Sequence, residues 1–61
     1  MNISIYWQRG ADNLIHALIT NYCGCKCRYI FNDFAFMNYL REQRLYYNVQ
    51  IKEINIDAII L

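Results

Sequence analysis

Asp12-Asn13-Leu14-Ile15-His16-Ala17-Leu18-Ile19-Thr20-Asn21-Tyr22 is the stretch on which the fold turns. At about 100° per residue, Ala11, Leu14, Ile15, Leu18 and Tyr22 fall on one stripe, while Asn13, His16 and Thr20 fall opposite. The spacing predicts an amphipathic helix through Tyr22 with Asp12 as its N-cap. Upstream, Asn2 to Gln8 alternates, with Ile3, Ile5 and Trp7 on one side and Ser4, Tyr6 and Gln8 on the other, which reads as a half-buried strand ended by Arg9-Gly10. Downstream, Gly24 is free to terminate the helix, and Cys27 to Phe31 is β-branched and aromatic enough for a short strand.

Asn32-Asp33 is the next punctuation, and a second helix is expected from Asp33 to about Tyr47, with Phe36, Met37, Leu40 and Tyr47 turned inward. Past Asn48 the period changes. Val49 and Ile51 share one phase, Ile54 and Ile56 share the other, and Lys52-Glu53 marks a bulge or turn between them. The element order is therefore β-α-β-α-β. It implies an α+β fold, a small two-layer sandwich in which a three-stranded sheet carries two helices on one face.

A chain of 61 residues has room for a single small domain, 1–61, and no repeat or linker divides it. Such a chain buries only roughly 60 % of its unfolded surface, so its stability is marginal and a second copy is the simplest remedy. The apolar segment Ile54 to Leu61 is the part expected to pair with its own copy in a homodimer or to cover the core. With 57 % hydrophobic and 16 % aromatic residues the chain is too apolar for disorder.

Six Lys and Arg stand against five Asp and Glu, a net charge of +1, so no global field draws the chain to nucleic acid or to an acidic membrane. Charge argues instead for a protein partner. No stretch approaches the roughly 20 apolar residues of a membrane helix. The opening Met1-Asn2-Ile3-Ser4-Ile5 lacks the basic head and cleavage site of a signal peptide, which gives a cytoplasmic expectation. The lack of proline and the wealth of Asn, Ile and Tyr resemble the composition of small phage and mobile-element proteins. That resemblance implies an inhibitor of a host or defence enzyme.

All three cysteines fall in the run Cys23-Gly24-Cys25-Lys26-Cys27. Their odd number, and the cramped geometry of a bridge between Cys23 and Cys25, point to reduced thiols. In an extended segment the three side chains point to one side and pack as small hydrophobes. As thiolates, Cys23, Cys25 and Cys27 form a candidate zinc or copper site, C-x-C spacing suiting soft Cu(I) better than zinc. His16 precedes them by a helical rise of roughly 10 Å, too far to complete the set. A redox role would need the thiols at a helix N-terminus, where the dipole lowers their pKa.

No Ser, Asp or Glu stands at a spacing that activates His16, and the carboxylates Asp12, Asp33, Glu42, Glu53 and Asp57 are scattered, so no catalytic residues are assigned and no enzyme is expected. The outer side of the second helix carries the strongest binding signal. Phe34, Asn38, Arg41 and Leu45 follow i, i+4, i+7, i+11 spacing, and apolar residues flanking an Arg are ingredients of a binding hot spot. The expected partner-binding residues are Phe34, Arg41 and Leu45, with Arg44, Tyr46 and Tyr47 adjacent. The alternative is a metal- or nucleic-acid-binding module centred on Cys23 to Arg28, with Lys26, Arg28 and Tyr29 joined by Arg41, Arg44 and Tyr47 as a basic and aromatic mixture.

Overall fold

The computed structural model describes residues 1–54. Its elements are β1 (Asn2–Arg9), β2 (Ile15–Thr20), β3 (Lys26–Phe31), α1 (Asp33–Gln43) and β4 (Asn48–Glu53). The strands form one mixed sheet in the order β3-β2-β1-β4. β1 and β2 are antiparallel, β2 and β3 are antiparallel, and β1 and β4 are parallel. The expected three-stranded sheet with two helices is thus corrected to four strands and a single helix among the described residues.

The error lies in 12–22. Ile15 and Ile19 are four apart, a spacing that suits a helix face and a strand face equally, so Ala17 decides. A helix turns Ala17 about 200° from Ile15, whereas a strand returns it to the same side. Ala17 is only 2 % exposed beside buried Ile15 and Ile19, while His16, Leu18 and Thr20 are half-buried and Ala11 and Tyr22 are exposed. The segment is a strand because pairing with β1 and β3 satisfies its backbone on both sides while burying three apolar side chains.

Asp12 is correspondingly not a helix cap but part of a hairpin turn. Gly10 N–H donates to Leu14 O at 2.8 Å, Asn13 N–H donates to Gly10 O at 3.0 Å, and Asn13 takes a left-handed φ of 65°. Asp12 Oδ1 accepts the Leu14 N–H at 3.0 Å, the local bond by which Asp stabilises a turn. Gly24, with φ 86°, sits in the β2–β3 turn rather than at a helix end. There Asn21 Oδ1 accepts the N–H groups of both Cys23 and Cys25 at 2.9 Å.

β3 and β4 are the two edges of the sheet, and β4 runs parallel to β1, so the chain leaving β3 must cross a whole face to reach its place. α1 is that crossover. Asn32 caps it, its Oδ1 accepting the Ala35 N–H at 2.8 Å, and Phe36 and Leu40 turn toward the sheet. They complete a core with Ile3, Ile5, Ile15, Ala17 and Ile19. Phe36 also meets Trp7 and Phe31, with ring centroids 5.8 and 5.5 Å away.

The helix ends at Gln43 rather than Tyr47, and of its expected inward residues Met37 is 55 % exposed while Tyr47 packs half-buried against the core. Lys52-Glu53 continues β4 rather than bulging, and Ile54 N–H donates to Trp7 O at 2.8 Å. The expectation that Ile54 to Leu61 pairs or covers the core concerns 55–61, which lie outside the described residues. None of the described helices is long and apolar enough to cross a membrane.

Ile5 is fully buried on the central strand. Ile5→Ala should lower the unfolding free energy by about 2–5 kcal/mol, whereas Phe34→Ala on the exposed helix face should stay within about 0.5 kcal/mol. Urea unfolding followed by circular dichroism measures both.

Candidate functional site

Because Phe36 and Leu40 fix which side of α1 faces the sheet, residues half a turn away must face out. Phe34, Asn38 and Arg41 are those residues, and all are exposed, Phe34 by 77 %. After the C-cap at Arg44 the backbone stays tightly wound, with Leu45 N–H donating to Glu42 O at 3.2 Å and Tyr46 N–H to Gln43 O at 3.1 Å. Leu45 consequently extends the outward line, and Leu45 and Tyr46 are each 73 % exposed. Phe34, Arg41, Arg44, Leu45 and Tyr46 are thus all exposed. Tyr47 differs from them, stacking on Tyr22 with centroids 5.9 Å apart.

Sequence reasoning missed what adjoins this line. Met37, one turn from Phe34, borders a groove of about 350 Å³ between α1 and the sheet, lined also by Trp7, Leu40 and Ile51. Arg9 and Asp33 supply its polar side, their ion pair closing to 2.9 Å and tying the end of β1 to the start of α1. The volume lies within the usual range for binding clefts, about 300–1,000 Å³. The outward line and the groove meet at Met37, giving a helix ridge beside a slot for an anchoring side chain.

The other candidates separate. Cys23, Cys25 and Cys27 are free and exposed, which corrects the expectation that they pack as small hydrophobes. Among the described residues no group of three His, Cys, Asp or Glu side chains converges so as to hold a metal ion. The Cys23 thiol, with the Tyr47 phenol adding to it, pushes the Tyr22 hydroxyl above its ordinary pKa. Burial, then Tyr29, raises that of Tyr39. The basic and aromatic mixture is not brought together either. Tyr29 lies on the helix side near Tyr39, with centroids 6.3 Å apart, Lys26 and Arg28 occupy the opposite phase of β3, and Arg41 and Arg44 belong to the helix surface.

His16, for which the sequence offered no partner, has one. Its Nε2 lies 3.1 Å from both carboxylate oxygens of Asp12 across the hairpin turn. Gly10 permits that approach, since a Cβ there would stand 2.6 Å from His16 Nε2 and 2.7 Å from Asp12 Oδ1. The Leu14 N–H first, and His16 second, hold the Asp12 carboxyl below the usual carboxylate range. No protein-family model, curated protein or solved structure matches this chain.

A carboxyl whose pKa is depressed on folding stabilises the fold above its unfolded pKa, about 4, and that contribution is lost as pH falls through the folded value. Asp12→Asn keeps an acceptor for the Leu14 N–H but removes the titrating charge. Thermal melts should show a smaller fall in Tm between about pH 5 and pH 3 for Asp12→Asn than for the native chain.

Proposed function

We propose that this is a small non-enzymatic binding protein that docks a protein partner on the outer surface of α1. Phe34, Arg41 and Leu45 are the central contacts, with Arg44 and Tyr46 at the margin and the groove beside Met37 receiving an anchor from the partner. One observation carries the reading: two large apolar side chains, Phe34 and Leu45, stand 77 % and 73 % exposed on the line opposite the buried side of α1, with Arg41 between them. Exposed apolar surface of this kind, mixed with Arg, is the composition of interface centres.

The chemistry of the partner follows from charge. Among the described residues the ion pairs are Arg9–Asp33 and Asp12–His16, which leaves Arg41 and Arg44 without one. A complementary surface offers apolar side chains to Phe34 and Leu45 and carboxylates to the two arginines. Masking such a surface is a mode open to a chain of 61 residues. Size and composition support a host or defence enzyme as the one masked.

A photo-crosslinking amino acid at Asn38 should capture one dominant protein in the cells that make this chain. The Phe34→Asp, Leu45→Asp double variant, with an unchanged circular dichroism spectrum, should bind that purified partner roughly a hundredfold more weakly, about 2.7 kcal/mol. Unchanged affinity, or capture of nothing but a second copy of the chain, overturns the reading.

A further inference from the structure

The face of the sheet turned away from α1 has a chemistry of its own. Strand alternation puts Ser4, Tyr6 and Gln8 there, opposite in phase to buried Ile3 and Ile5. The register then builds one row across all four strands, Arg28–Leu18–Tyr6–Lys52, and beside it a second, Lys26–Thr20–Ser4–Gln50. Three of the six Lys and Arg of the chain therefore stand on one flat surface. From Arg28 to Lys52 is three strand spacings, roughly 14 Å.

Among the described residues one carboxylate reaches this surface, that of Asp12 at its β1–β2 end, 3.1 Å from Nε2 of His16, which pairs with Gln8, and the others lie elsewhere. Asp12 is in the β1–β2 turn and is engaged by Leu14 N–H and His16, Asp33 and Glu42 belong to α1, and Glu53 shares the phase of Trp7 on the helix side. Lys26, Arg28 and Lys52 make no ion pair among the described residues. Between β1 and β4 a shallow cleft of about 230 Å³ is lined by Ser4, Tyr6, Gln50, Ile51 and Lys52. It falls below the 300–1,000 Å³ or so of small-molecule sites, but it presents a half-exposed aromatic ring between cations.

We propose that this face binds single-stranded nucleic acid, with Lys26, Arg28 and Lys52 meeting backbone phosphates and Tyr6 stacking a base. Aromatic residues set in a basic surface are the means by which single strands are held without sequence readout. A duplex fits less well, because the sheet is wider than the major groove of about 12 Å, which admits a helix or a two-stranded ribbon. This site shares no residue with the α1 surface, so the two proposals stand or fall separately.

The test is fluorescence anisotropy of the whole protein with a labelled 20-nucleotide oligomer of deoxythymidine across a salt series. Saturable binding is expected, with log K falling against log salt at a slope of about −2, three phosphates at about 0.7 each. Arg28→Glu with Lys52→Glu should weaken binding at least tenfold. Both residues are exposed on edge strands, and their replacement leaves the core intact. Tyr6→Leu should weaken binding roughly tenfold while leaving the salt slope unchanged. The Phe34→Asp, Leu45→Asp variant should bind the oligomer as the native chain does. No saturable binding at low salt, tighter binding of a 20-base-pair duplex, or equal binding of a glutamate oligomer of the same charge would each overturn the proposal.

Discussion

β1 is paired on both sides, antiparallel to β2 and parallel to β4, and the parallel pairing is the constraint from which the rest of the architecture follows. A hairpin cannot join parallel strands, so the chain needs a crossover long enough to span the sheet, and α1 supplies it. Once α1 lies over Ile3, Ile5, Ile15, Ala17 and Ile19, the odd-numbered side of β1 is buried and the even-numbered side is left facing away from the helix. The same act of packing fixes the helix rotation through Phe36 and Leu40, which sets Phe34, Arg41 and Leu45 outward. Both surfaces with functional interest are consequences of one strand pairing.

That pairing was not legible in the sequence, because register and strand order arise from contacts far apart along the chain. The elements were partly legible. β1 declared itself through Ile3, Ile5 and Trp7 at alternate positions, and α1 through Asn32-Asp33 followed by Phe36 and Leu40, because each has a period that only one structure satisfies. β2 did not, since Ile15 and Ile19 serve either period and Leu14 and Leu18 completed a false helical stripe. The signals that would have corrected it were Ala17, small enough to be overlooked as a core residue, and Asp12-Asn13 directly after Gly10. The latter is turn chemistry in which Asn takes a left-handed φ and Asp binds the backbone two residues on.

The candidate surface shows the same division. The outward line on α1 needed only helical spacing, so its residues could be named in advance. The groove beside Met37 could not, because Trp7, Leu40 and Ile51 come from three elements whose arrangement the parallel pairing sets. The Asp12–His16 contact was hidden for a related reason. Four residues apart on a supposed helix, they would have been surface neighbours of little consequence, whereas across a tight turn built on Gly10 the ring and the carboxylate are held together.

Net charge describes the chain as a whole, and the sheet divides that charge between its surfaces. A total of +1 averages over faces that a folded chain keeps apart. Strand alternation sends Lys26, Arg28 and Lys52 to one surface and Glu53 to the other, while the turn and the helix retain Asp12, Asp33 and Glu42. A ligand senses charges within about a Debye length of 8–10 Å at moderate salt, not the sum over the molecule. Among the described residues the rows that hold Lys26, Arg28 and Lys52 carry positive charge alone, with the Asp12 carboxylate beside His16 at one end of the face. Because α1 and that face lie on opposite sides of the sheet, a partner seated on Phe34 and Leu45 would leave Tyr6 and its flanking cations accessible. The two proposed sites therefore do not obstruct one another.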